Sequence, residues 1–153
     1  MNYDRTHNIT TTAGYFFDKK NNPMILGIRP LSNSNVNFTL IAMSGAPYTP
    51  YDINLSRYGA TNSQRMPWYI EANLAYRKFI NLMGVKWSAG VIVRNVFNFE
   101  NVIDIYEETG SATDPGRLNE QAINDGWLST TYFDRPYYFS DPRQIDVTLE
   151  ASF

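Results

Sequence analysis

IDVTLEASF, residues Ile145 to Phe153, is the stretch whose reading decides the fold. Ile145, Val147, Leu149, Ala151 and Phe153 are apolar, and Asp146, Thr148, Glu150 and Ser152 between them are polar. An unbroken period of two marks a strand with one apolar and one wet face. Soluble sheets use such strands too, but their last residues usually fray, so a final apolar-face Phe is unusual there. In a transmembrane barrel the closing strand pairs with the first, and its end sits beside an aromatic girdle. The stretch therefore predicts an outer-membrane barrel strand, and the rest of the sequence is judged against that expectation.

The 153 residues suffice for one ordinary domain, and a net charge of -2 gives no electrostatic footprint for nucleic acid. Aromatic residues make up 15%, with eleven Tyr against nine Phe and three Trp. Tyr excess suits surfaces where one end of a side chain is dry and the other wet. The absence of cysteine excludes disulfides and thiolate metal sites. No apolar run is long enough for a helical span, and a mean hydropathy of -0.38 is compatible with strands that are half polar. MNYDRTHNITTT lacks the basic and apolar segments of a secretion signal, so the membrane reading expects a mature or carboxy-terminal piece of something longer.

Thr6 to Phe17 reads as a β-branched strand closed by aromatics, followed by a turn over Asp18 to Pro23. Met24 to Leu31 is apolar but interrupted by Gly27 and Pro30, and its pattern assigns no element. Val36 to Pro47 alternates again, and SGAPYTPYD (Ser44 to Asp52) is a bend stiffened by its prolines. Met66 to Ile80 alternates most clearly. Trp68, Ile70, Leu74 and Tyr76 share its apolar face, whereas Glu71 and Arg77 lie opposite. Trp87, Val91 and Val93 continue that face in the next strand. These seven apolar residues are predicted to face lipid. A four-residue turn over Asn81 to Gly84 places Glu71 opposite Arg94, as a cross-strand pair in the barrel lumen, and Leu74 opposite Val91.

After Asn95 the alternation decays, and Ser111 to Asp141 is a polar segment without a readable period, of a kind that is either functional or disordered. His7 has no acidic or nucleophilic neighbour in the pattern, so neither a catalytic triad nor a zinc site is expected. Glu107, Glu108 and Asp114 match no calcium-loop template and read as solvated charge. Tyr48, Tyr51 and Tyr58 fall in a loop where they could stack on a ligand, with packing roles equally open. No catalytic group, metal or other cofactor is implied.

Four motifs, met in order, resemble the carboxy-terminal end of TonB-dependent outer-membrane receptors of the kind found in Bacteroidetes-like bacteria. SGAPYTPYD resembles that family's small-Gly-x-Pro-Tyr-Thr-Pro bend, and Arg65-Met66-Pro67-Trp68-Tyr69 its Arg-x-Pro lead-in to a strand. Val93-Arg94-Asn95-Val96-Phe97-Asn98 with Asn101-Val102 is similar to its Asn-Leu-Phe-Asn and Asn-Val signature. Tyr137 to Arg143 followed by IDVTLEASF looks like its closing strand, whose Ile145, Val147, Leu149, Ala151 and Phe153 would serve as the carboxy-terminal assembly signal.

The resemblance implies an all-β chain: about five antiparallel carboxy-terminal strands of a larger transmembrane β-barrel, without the plug. It implies outer-membrane lipid, the remaining barrel and plug, the barrel-assembly machinery and, indirectly, the TonB system as partners, and nutrient uptake as the function. Asp18 to Pro23 and Asn81 to Gly84 would then be periplasmic, with Gly45 to Gln64 and Phe99 to Asp141 outside. The rival is a soluble β-sandwich module binding a ligand such as a carbohydrate. That rival predicts Trp68, Leu74, Trp87 and Leu149 together in one dry core.

Overall fold

The computed structural model describes residues 4–20, 22–27, 29–51, 56–57, 59–127 and 129–152; Tyr58 and Phe153, with the roles expected of them, lie outside these. The elements are β1 (Asn8–Phe17), β2 (Ser34–Met43), β3 (Pro47–Tyr48), β4 (Gln64–Arg65), β5 (Tyr69–Leu82), β6 (Val85–Arg94), α1 (Arg117–Asn124) and β7 (Gln144–Ser152). Five of the strands form one sheet in the order β1-β2-β5-β6-β7, and β3 pairs with β4 alone. The chain is all-β with, among the described residues, one short α-helix and two 3-10 helices (Thr130–Phe133 and Pro136–Tyr138), and the sheet is open, with β1 and β7 at its edges.

The residues divide into two compact units, one of Thr10–Ile41, Glu71–Phe99 and Pro142–Phe153, the other of Met1–Ile9, Ala42–Ile70 and Glu100–Asp141. In the first, the β5–β6 hairpin corrects the expected register. Leu74 lies opposite Val93, not Val91, and Leu82 opposite Val85, so the strands are joined by two residues rather than four. Met83 and Gly84, at φ 54° and 80°, supply the left-handed torsions of a type I′ turn, whose twist matches that of the flanking strands. Glu71 and Arg94 are consequently not partners. The Glu71 carboxylate accepts from Asn73 Nδ2 at 2.8 Å, and Arg94 Nη1 reaches Asp146 Oδ2 at 2.6 Å. Trp68 also departs from expectation, since it precedes β5 instead of lying within it.

The expected alternation extends across three strands. Leu74, Val93 and Ile145 stand side by side, followed by Tyr76, Val91 and Val147, then Lys78, Ala89 and Leu149, then Ile80, Trp87 and Ala151. Gly90 sits on the opposite face between Arg77 and Thr148. A Cβ there would come 2.6 Å from Thr148 Oγ1, so glycine leaves room for Arg77 to lean across β6 and reach Glu150 at 3.7 Å. Both ion pairs are exposed, and such pairs contribute about 0.2–1 kcal/mol each. They order the polar face more than they hold it together.

The register has a direct chemical check, because the chain has no cysteine of its own. Paired strand residues bring Cα atoms to about 4.5–5.5 Å, within disulfide reach, whereas an offset of two residues does not. Oxidation of a Leu74→Cys/Val93→Cys variant should give the crosslink, and Leu74→Cys/Val91→Cys should give little or none.

Candidate functional site

The most exposed part of the apolar face lies on β7, where Ile145, Val147 and Leu149 are 62%, 76% and 69% accessible. Ile70, Ile80 and Trp68 are exposed too, while Leu74, Tyr76, Trp87, Val91 and Val93 are half-buried by their neighbours along the sheet. Of the four residues that a soluble sandwich would bury, Trp68 and Leu149 are exposed and Leu74 and Trp87 half-buried. Near one edge of the face, Lys78 Nζ donates to the carbonyls of Pro30 (2.8 Å) and Ser32, and Tyr76 Oη donates to Pro30 at 3.0 Å. The stem of Lys78 thus crosses apolar surface while its ammonium is satisfied by backbone oxygens.

The asparagine motif after β6 has a clear physical job, because side-chain amides replace backbone partners where the ladder stops. Asn95 N donates to Asn73 Oδ1 at 3.0 Å, and the Asn95 amide exchanges two bonds of 2.9 Å with the backbone of Phe99. Asn98 Oδ1 accepts from Arg143 N at 2.8 Å, just ahead of β7. Asn95 and Asn98 sit at φ 50° and 54°, a region asparagine tolerates better than most residues. Val96 N meanwhile donates to Ala72 O at 2.8 Å, so the exit from β6 is still tied to β5.

In the second unit Asn101 repeats this device. Its Oδ1 accepts from Ile70 N at 2.7 Å and its Nδ2 donates to Ile70 O at 2.9 Å, which is the pair of bonds a neighbouring strand would supply. The proline bend is fixed by Ser44, whose N donates to His7 O at 2.9 Å and whose Oγ accepts from His7 N at 3.0 Å. His7 stacks on Trp68 with ring centres 6.1 Å apart. Tyr48 and Tyr51 are brought against the 107–110 turn: Tyr51 N donates to Glu107 O at 3.3 Å, and a Cβ on Gly110 would strike the Tyr48 hydroxyl.

The segment that showed no period in the sequence is ordered around a core of Tyr106, Ala112, Phe133 and Tyr138. Arg135 organises it. Its guanidinium carbon lies 5.4 Å from the ring centres of both Tyr106 and Tyr138, 5.8 Å from Tyr132 and 5.9 Å from Tyr137. Arg135 Nη1 donates to Tyr138 Oη at 3.2 Å, and Tyr106 Oη donates to Phe133 O at 2.9 Å. Glu108 and Asp114, read from the sequence as solvated charge, are engaged locally: Glu108 Oε1 accepts from the N of Arg117, the first residue of α1, at 3.1 Å, and Asp114 Oδ1 accepts from Gly116 N at 3.0 Å. Among the described residues no group of three or more acidic, His or Cys side chains is placed to hold a metal. Beside the cluster is a cavity of about 420 Å³ walled by Ile123, Phe133 and Phe139, with Glu120, Asp134 and Arg135 at its polar side. Neither Tyr48 nor Tyr51 lines it. No spacing rule pointed to Arg135, since its aromatic partners come from turns rather than from a repeating element.

Burial raises the Tyr106 and Tyr138 phenols above the ordinary 10.0, with the positive charge of Arg135 opposing the shift. Each phenol holds its proton more tightly in the folded cluster than in the unfolded chain. The stability this contributes is complete below about pH 10 and declines as pH climbs above it. A phenolate absorbance titration should show a late-titrating class, and Tyr106→Phe should remove one tyrosine from that class and let Tyr138 titrate earlier, because a Tyr106 phenolate no longer opposes its ionisation.

These features define an all-β protein with an open antiparallel sheet in which β5, β6 and β7 carry paired charges on one face and, Lys78 apart, apolar rows on the other. No family model, curated protein or solved structure matches the chain.

Proposed function

We propose that this chain forms carboxy-terminal strands of the β-barrel of a TonB-dependent outer-membrane transporter for nutrient uptake, as wall and closure of the barrel rather than as a catalyst. The observation that carries this reading is the apolar surface running in register across β5, β6 and β7, exposed most where it reaches the unpaired edge of β7. Water disfavours such a surface and acyl chains do not. The opposite face supports the same reading, with Arg77–Glu150 and Arg94–Asp146 paired as charges turned to a wet lumen would be. Open edges carry unpaired backbone groups that hydrocarbon cannot satisfy, so further strands complete the sheet in the membrane. In this reading the Ile145, Val147, Leu149 row is the surface the assembly machinery handles, and the loop cluster around Arg135 faces the outside medium.

Single cysteines from Ile145 to Ser152 test it in the outer-membrane fraction. With a water-soluble maleimide, positions 145, 147, 149 and 151 should be protected while the intervening ones react or are shielded only by the barrel interior. Detergent should release the first set alone. Equal labelling of both sets before detergent, or recovery of the protein in the aqueous fraction without surfactant, would overturn the reading in favour of a soluble binding module.

A further inference from the structure

Six described non-glycine residues have a positive φ, and four of them are asparagines: Asn33, Asn62, Asn95 and Asn98. The two exceptions are Leu26 (φ 50°) and Met83 (φ 54°), each followed by a glycine, Gly27 (φ 79°) and Gly84 (φ 80°). Type I′ torsions at a turn tip favour Asn, Asp or Gly in the first position, and a bulky side chain there is strained. Packing does not compensate for the strain, because Leu26 is 98% and Met83 94% accessible. The backbone would be better served by asparagine at both tips, so the apolar side chains serve something outside the fold.

Charge gives the second observation. The 18–33 connection carries Lys19, Lys20 and Arg29 against Asp18 as its one acid, and Lys86 stands at the start of β6 beside the Met83–Gly84 turn; all four cations are exposed. Lys19 and Lys86 meet at a cavity of about 460 Å³ whose walls include Ile80, Trp87, Asn81 and Glu150, the last engaged by Arg77 at 3.7 Å. One rim of the sheet therefore combines two projecting apolar tips with a collar of cations. A soluble acidic peptide would satisfy the collar and leave the tips wet. An anionic lipid surface satisfies both, with Leu26 and Met83 entering the acyl boundary and the ammonium and guanidinium groups meeting phosphates.

We infer that this rim is a docking surface for anionic phospholipid headgroups. The inference rests on the membrane reading and deepens it, assigning a lipid chemistry to one border of the apolar face. It is tested with the protein carried in detergent and transferred to vesicles of phosphatidylcholine alone or of phosphatidylcholine with phosphatidylglycerol. An environment-sensitive fluorophore is placed at Leu26→Cys, at Met83→Cys and, separately, at Val147→Cys. The two tip probes should shift to the blue with anionic vesicles, shift less with phosphatidylcholine alone, and lose the difference at high salt. Reversal of Lys19, Lys20, Arg29 or Lys86 to Glu should weaken the anionic preference by about fivefold or more per site, since a surface cation contributes about that factor. Leu26→Asn with Met83→Asn should keep the fold, as these residues suit the turns, and reduce vesicle affinity.

Tip probes that stay in water, or that respond equally to both vesicle types, overturn the lipid assignment even when the Val147 probe reports acyl chains. Tip probes that enter anionic vesicles while the Val147 probe stays wet support the rim and bring down the barrel reading alone.

Discussion

Gly45→Ala should destabilise the protein by about 3 kcal/mol or more, a cost at the upper end for added core atoms because what they would meet is backbone. A Cβ on Gly45 would sit 1.7 Å from the Met66 carbonyl oxygen and 2.4 Å from its carbon. Neither atom can turn aside as a side chain can. Met66 N donates to Ala46 O at 3.0 Å, and the β3–β4 ribbon next to it pairs Pro47 with Arg65. Arg65 Nη1 adds bonds to the carbonyls of Asp4 at 2.9 Å and Gly45 at 3.3 Å. Moving these strands apart to admit one methyl group loosens all of these together. Gly14→Ala is the control: its Cβ would meet the Asn37 side-chain oxygen at 2.5 Å, an atom that can rotate away. Denaturant midpoints measured in one detergent should fall steeply for Gly45→Ala and change little for Gly14→Ala. Equal midpoints would mean that the bend opens freely.

The strands were legible in the sequence because a half-buried strand writes its geometry directly into residue order. Ile145 to Ser152 needed no more than the alternation of apolar and polar side chains. Register was legible only in part. Even positions in β5 and odd ones in β6 fix which faces match, but every shift by two residues preserves that match, and turn length alone selects among them. Met83 hid the turn, since an Asn-Gly pair there would have announced a two-residue hairpin and a Met-Gly pair does not. The motif from Asn95 to Asn101 was visible as a pattern. Its mechanism, amides standing in for missing strand partners, needed the coordinates of Ala72, Asn73 and Ile70. The Arg135 cluster left no periodic trace, because a cation ringed by tyrosines from separate turns is assembled by tertiary contact.

Val147→Arg separates the two environments open to the apolar face by the size of its effect. Val147 pairs with Val91, which in turn pairs with Tyr76, so it lies within the apolar rows rather than at their border. At 76% accessibility on an edge strand, a soluble sheet should tolerate arginine there within about 0.5 kcal/mol. Near the midplane of a bilayer the same substitution costs about 2–4 kcal/mol. That range corresponds to a factor of roughly thirty to several hundred in the folded population. Thr148→Arg, one residue on and beside Gly90 on the polar face, should show no comparable loss in lipid beyond local crowding. Unfolding measured in lipid vesicles and again in detergent exposes the difference, because shorter and more mobile detergent tails let the guanidinium reach water. A large cost for Val147→Arg in lipid that shrinks in detergent requires acyl chains against β7. A cost near zero in both media would place water there, and the apolar rows would then need a protein partner to cover them.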